Sequence, residues 1–89
     1  MIASFKLDIT TPQGQEYSGE IVHACVPLEA GSAGILANHA PYVTVAGAGL
    51  CTVREKNGVE VAFKVGKGFF SVAHNRAALL TQSFEKITA

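Results

Sequence analysis

Charge is what this chain has least of. Asp, Glu, Lys and Arg make up 16% of its 89 residues, against about 25% in ordinary globular chains. The seven basic residues are scattered and balanced by seven acidic ones. With no basic cluster, the electrostatic footprint of a nucleic-acid binder is missing, and nucleic acid is not an expected partner. There are only two cysteines, Cys25 and Cys51, too few for a disulfide framework; small buried thiols are the expectation. No window of eleven or more residues keeps a helical period and nothing repeats, which excludes a helical bundle and a solenoid. The start, Met1-Ile2-Ala3-Ser4-Phe5-Lys6, lacks the charged segment and apolar block of a secretory signal, so the chain is expected to stay in the cytosolic compartment.

From Ala30 to Val53 there is no charge at all. About twenty apolar residues can span a bilayer, but Gly31, Gly34, Asn38, His39, Pro41, Gly47 and Gly49 interrupt this run. Such breakers leave backbone groups that hydrocarbon cannot satisfy, so the run is expected to be loop plus strands.

What is abundant is apolar surface, 48% of residues, enough for a packed core in one domain spanning residues 1–89. Phe5 to Thr10 alternates apolar and polar residues, the mark of a half-buried strand. Glu16 to Ser18 is expected to be a short extended piece, Gly19 a bend, and Ile21 to Val26 a strand stopped by Pro27. Leu28 to Pro41 reads as an ordered loop with a short strand at Ile35-Leu36. Tyr42 to Ala46 and Leu50 to Glu55 flank a glycine bend, and Asn57-Gly58 is the strongest hairpin signal, with both residues tolerant of positive φ. Val59 to Val65 returns, and Phe69 to Val72 pairs with Ala77 to Thr81 across His74-Asn75. The pattern predicts an all-β fold, a small two-layer β-sandwich of about eight to ten short, mostly antiparallel strands. Val22, Ala24, Cys25, Tyr42, Val43, Val45, Phe69 and Phe70 put apolar side chains on both faces of their strands. A sandwich this small can turn only one face of each sheet inward, so the surplus is expected to lie against another protein.

Candidate chemistry is sparse. Asp8 is the sole aspartate and sits on an alternating strand, where a solvated carboxylate is the plain reading. The six glutamates are scattered, with no pair placed for acid–base work. His23 and Cys25 share one side of a strand, but His39, Cys51 and His74 stand alone and the paired spacings of a structural zinc site are missing. Ala30-Gly31-Ser32-Ala33-Gly34 has alanine where a nucleophile elbow has its first glycine. Val65-Gly66-Lys67-Gly68 lacks both the preceding glycine and the following Ser or Thr of a phosphate loop. Neither an active site nor a cofactor, metal or nucleotide site is expected.

In order along the chain, Leu7 to Pro12, Tyr17 to Ile21, Val26-Pro27 and Gly34-Ile35-Leu36-Ala37-Asn38-His39-Ala40-Pro41 resemble the epsilon subunits of F-type ATP synthases. Thr44, Gly49, Phe63, Val65, Gly68-Phe69, Val72, Asn75 and Leu80 fall at the spacings of that family's amino-terminal β-sandwich domain, so the likeness covers nearly the whole chain. Ser32-Ala33 replaces an acidic residue and a leucine that are frequent there, Gly47-Ala48 a frequent Lys-Pro, and Lys67 a common glycine. The family usually continues into a two-helix hairpin involved in inhibiting hydrolysis and, in some members, in binding ATP. This sequence stops at Ala89, so neither property is carried over.

The resemblance implies a non-catalytic rotor part that grips the gamma subunit and rests on the c-ring of the membrane sector, with the beta subunit met only indirectly. It would be a peripheral component at the cytoplasmic face of the inner membrane. Ring-side contacts are expected at Gly31, Ser32, Gly34, Asn38, His39 and Pro41, with His39 the leading candidate, unless that histidine only braces the loop before Pro41. Gamma-side contacts are expected at Val43, Val45, Phe69 and Phe70. The competing readings are a free-standing binding module, which requires a pocket with convergent polar groups, and a small metal or redox protein using His23, Cys25 and Cys51.

Overall fold

The computed structural model describes residues 3–87, so what was read of Met1, Ile2, Thr88 and Ala89 lies outside the described residues. Alternation sets the first strand, β1 (Phe5–Thr11): Phe5, Leu7, Ile9 and Thr11 are buried while Lys6, Asp8 and Thr10 face outward. After the turn at Pro12-Gln13 the chain returns as β2 (Gly14–Leu28), a strand of 15 residues. This is longer than the sequence indicates, because neither expected breaker breaks it. Gly19 stays in register opposite Leu7. Its missing side chain leaves room for the Tyr17 phenol, whose oxygen would lie 2.9 Å from a Cβ at that position. Pro27 is next to last in the strand, an end position where a missing donor is tolerated, and its carbonyl accepts from the Gly47 N–H at 3.0 Å.

Half of the expected loop from Leu28 to Pro41 is strand. β3 (Gly31–Leu36) runs antiparallel to the second half of β2, from Gly31 opposite Leu28 to Leu36 opposite His23. Small residues hid it from the sequence pattern. Only Ile35 of this strand is buried, so the alternation that marks a strand is nearly silent. The remaining elements are β4 (Tyr42–Ala46), β5 (Gly49–Glu55), β6 (Glu60–Val65), β7 (Gly68–Ala73), β8 (Arg76–Thr81) and β9 (Phe84–Ile87). β9 has no counterpart among the sequence-predicted strands; it pairs with β6.

The hydrogen-bonded order is β1-β8-β7-β4-β2-β5-β6-β9, with β3 on β2 and β1 also on β2. The long β2 is the hinge of this arrangement. Its first half pairs with β1 in one layer, with β8, β7 and β4 beyond. Its second half pairs with β3 and β5 in the other layer, with β6 and β9 beyond. β1 and β8 are parallel, and the other pairs are antiparallel. This is the expected sandwich. The core between the layers contains Phe5, Leu7, Ile9, Phe70 and Leu79 from one side and Val26, Ile35, Cys51, Val53 and Phe63 from the other. The uncharged run Ala30 to Val53 is thus spent on β3, β4 and most of β5.

Two hairpins show how turn chemistry was read. At His74-Asn75 both residues have positive φ, 52° and 60°, the two-residue form that matches strand twist. At Lys56-Asn57-Gly58 only Gly58 does, at 91°. There the Gly58 N–H donates to the Glu55 carbonyl and Glu55 N–H to Val59, each at 2.8 Å. The turn is therefore a three-residue one with glycine at its left-handed position, and Asn57 caps it by accepting from the Val59 N–H at 3.0 Å.

Candidate functional site

β3 spreads the six ring-side candidates along a line. Gly31, Ser32 and Gly34 lie on the strand, and Asn38, His39 and Pro41 lie beyond its far end. At about 3.3 Å per residue, Gly31 and Leu36 are roughly 17 Å apart, so the structure does not gather these residues into one compact loop. They form a strip instead. Among the described residues β3 is paired on one side only, with β2, which leaves its other backbone edge without a strand partner there, along a stretch with no charged side chain.

The far end of the strip is held by side-chain hydrogen bonds. Asn38 has φ of 66°, a left-handed conformation that asparagine tolerates better than most side chains. Its N–H donates to Asn75 Oδ1 at 2.6 Å, and Asn75 Nδ2 donates back to Asn38 Oδ1 at 3.1 Å. His39 donates from Nδ1 to the Ala40 carbonyl at 2.6 Å, which leaves Nε2 as the acceptor of the neutral ring. The imidazole also lies 5.8 Å from the Tyr42 ring. Asn38, His39, Ala40, Pro41, His74 and Asn75 line a hollow of about 270 Å³. The sequence places His74 and Asn75 at a turn, with Asn75 among the residues at the family's spacings, but not beside the candidates at residues 38–41. Nothing in their spacing ties them to residues 37 positions earlier; the strand order does that.

The second set lies on the outer face of the β4–β7–β8 layer. Directly paired residues share a face, and the pairs are Val45 with Phe69 and Phe69 with Leu80. Val43 is two residues along from Val45 on that face. Val43, Val45, Phe69 and Leu80 are 76%, 42%, 59% and 53% exposed, a contiguous apolar patch of the kind that marks a contact surface. A hollow of about 310 Å³ opens beside it, bounded by Thr10, Pro12, Lys67, Phe69 and Leu80. Phe70 does not belong to this set. It is fully buried, paired with Thr44 and Leu79 on the inward face, because neighbours in a strand point to opposite sides. Leu80 was not among the candidates; it emerges only once β8 is known to lie beside β7.

Elsewhere the polar groups serve the fold. Tyr17 Oη donates to Glu55 at 2.8 Å and its ring stands 4.9 Å from Phe63, which in turn lies 4.9 Å from Phe84. Burial first, and the Glu55 carboxylate second, push the Tyr17 phenol well above its ordinary value. Cys51 faces the core, and burial, with a smaller contribution from Cys25, pushes its thiol up to about 12. Cys25, opposite Thr52, is half-buried on the other face of the sheet, so the two thiols and His23 do not converge. Among the described residues no group of three or more His, Cys, Asp or Glu side chains is gathered as a metal ion would need.

Comparison with known proteins identifies what this arrangement is similar to. Residues 4–87 match the family model described as "ATP synthase, Delta/Epsilon chain, beta-sandwich domain". The ATP synthase epsilon chain of Chlorobium limicola is 37% identical over 79 residues, covering 89% of this chain and 90% of that relative. The epsilon chain of Maridesulfovibrio salexigens is 33% identical over 86 residues, covering 97% of this chain but 60% of the relative. Among solved structures, a chain of the Euglena gracilis mitochondrial ATP synthase, resolved with OSCP, F1 and c-ring, has a TM-score of 0.87 at 19% identity, over 94% of this chain and 54% of that one. A chain of the Tetrahymena thermophila mitochondrial enzyme, from its central stalk and c-ring, has a TM-score of 0.72 at 17% identity, over 90% and 64%. At those identities the likeness is one of fold.

Proposed function

This chain belongs to the family of ATP synthase delta/epsilon β-sandwich domains, and we propose that it works as a non-catalytic rotor part of the central stalk, joining the gamma subunit to the c-ring. It is an accessory chain of the ATP synthase complex, in the membrane-associated F1 sector. Its position is the cytoplasmic face of the inner membrane, held there by its partners. Residues 1–89 act as one domain, whose role is to transmit torque by rigid packing.

The observation that carries this reading is the patch of Val43, Val45, Phe69 and Leu80, four large side chains exposed on one sheet face in a chain of this family. We assign it to gamma. Fully burying such a side chain is worth about 1.5–3 kcal/mol, a contribution that the rest of the interface must supplement to offset the costs of association. The c-ring is assigned to the uncharged strip along β3, from Gly31, Ser32 and Gly34 to Asn38, His39 and Pro41. Backbone groups on a free strand edge and the Nε2 of His39 suit polar loops as partners.

The test is association with purified gamma followed by size-exclusion chromatography. The parent chain co-elutes with gamma and has no ATPase activity alone. Phe69→Asp or Val43→Asp, each placing a charge in the patch, abolishes co-elution while the circular dichroism spectrum and melting temperature hold. Undiminished binding by both variants would remove gamma from this face.

A further inference from the structure

Three segments that are far apart in sequence meet at Asn75. Its backbone carbonyl accepts from the Lys6 N–H at 3.0 Å, tying the β7–β8 turn to the start of β1. Its side-chain Oδ1 accepts from the Asn38 N–H and its Nδ2 donates to Asn38 Oδ1. The loop 37–41 has no other hydrogen bond to the β7–β8 turn among the described residues. His39 follows Asn38 directly, so the direction of its imidazole depends on the backbone angle that this amide pair holds.

We propose that Asn75 is the positioning residue for His39: its carboxamide clasps Asn38 in the left-handed conformation and so presents the His39 Nε2 at the end of the sandwich. The proposal deepens the assignment of this strip to the c-ring and rests on it for its functional arm only. The chemistry requires an amide at position 75. An aspartate keeps the acceptor for Asn38 N–H but sets carboxylate oxygen against Asn38 Oδ1, and a glycine keeps the positive φ of 60° while deleting both side-chain bonds. Glycine therefore separates the clasp from the turn. At position 38, glycine likewise preserves the backbone angle but removes only the acceptor for Asn75 Nδ2.

The experiment compares the parent with Asn75→Gly, Asn75→Asp, Asn38→Gly, His39→Ala and the double variant Asn75→Gly/His39→Ala. Amide hydrogen exchange in the isolated chain reads the clasp. Asn75→Gly is expected to speed exchange at Asn38 by about five- to tenfold, the ratio for loss of one or two neutral hydrogen bonds, with amides of β7 and β8 unchanged. Asn38→Gly is expected to broaden the His39 ring signals with a smaller effect. Unchanged exchange at Asn38 in Asn75→Gly overturns the clasp. Proton pumping by the reconstituted complex reads the consequence: Asn75→Gly falls as far as His39→Ala, Asn75→Asp falls too, and the double variant falls no further, as expected when one residue acts through the other. Additive losses, or full pumping in Asn75→Gly beside a defect in His39→Ala, overturn the positioning role. Full pumping in His39→Ala would instead remove the ring assignment, leaving hydrogen exchange to decide the clasp.

Discussion

Phe69 and Phe70 are adjacent and chemically identical, yet the period of two along a strand sends one into water and the other into the core. Phe70→Ala therefore removes a ring with no exposure and should cost about 3–5 kcal/mol in denaturant unfolding. Phe69→Ala should stay within about 0.5 kcal/mol of the parent while weakening attachment to gamma. Equal destabilisation by the two would mean that the outer face packs against something within the chain. The sequence could not separate this pair, because an apolar doublet satisfies either register. By contrast Phe5, Leu7 and Ile9 were legible as core, since polar residues between them leave only one face to bury. Cys51 was legible as a buried thiol, and its raised pKa makes a second residue-level prediction. The thiol is neutral in both folded and unfolded chains below its ordinary value of 9.0, so its stabilising contribution is complete there. Between that value and about 12 the unfolded chain ionises while the folded one resists, so stability falls as pH rises. Tyr17 shifts in the same direction. Urea midpoints should accordingly decline above pH 9, and Cys51→Ala, though less stable at neutral pH, should decline less steeply. A parallel decline in both proteins would reject the assignment.

Strands with large β-branched or aromatic side chains between clear turn residues could be read from the sequence, and strands made of small residues could not. β1, β4, β7 and β8 fall within a residue or two of where the pattern puts them. β3 reads as loop in the sequence because Gly31, Ser32, Ala33 and Gly34 carry almost no hydrophobic signal, and β2 reads as shorter than it is because Gly19 and Pro27 are residues that usually end strands. Both exceptions have local causes: the Tyr17 ring occupies the space over Gly19, and Pro27 stands where the strand ends. Gly68 makes the sharpest element-scale prediction. It opens β7 opposite Thr81, and a Cβ there would lie only 1.7 Å from the Leu80 carbonyl oxygen. Since the obstacle is backbone, repacking cannot relieve it. Gly68→Ala should destabilise the domain by about 1–3 kcal/mol, the usual cost of overfilling a packed site, and a melting curve suffices to check it. Gly58→Ala meets open space but strains a φ of 91° that residues with a Cβ rarely adopt, and should cost about 1–2 kcal/mol. The reverse order of severity would show that the β7–β8 approach is looser than its geometry requires.

For the whole molecule, the useful property is that the two contact surfaces we propose are built on different parts of one sandwich. The patch we assign to gamma belongs to the outer side of the β4–β7–β8 layer, and the strip we assign to the ring belongs to β3 and the loop after it. The fold class was open to sequence reasoning and the two residue sets were expected from the resemblance, but their placement on different layers was not legible, since it depends on β2 crossing from one layer to the other. A rotor part must hold both partners at once, so failure at either surface uncouples it, but the two failures should look different. Val43→Asp should prevent the chain from joining gamma, and it should be absent from complexes isolated after reconstitution. His39→Ala should join gamma normally, remain in the complex and still reduce ATP-driven proton pumping, with the melting temperature of the isolated chain changed by no more than a degree or two, as for a half-buried loop side chain outside the core. Combining the two should reproduce the Val43→Asp phenotype, because a chain that never assembles cannot lose a further contact. If His39→Ala also dissociates from gamma, the strip and the patch form one surface, and the division of labour between the layers is wrong. If His39→Ala instead lowers the melting temperature substantially, the histidine is a brace for the turn before Pro41, and the ring contact must be carried by the backbone edge of β3.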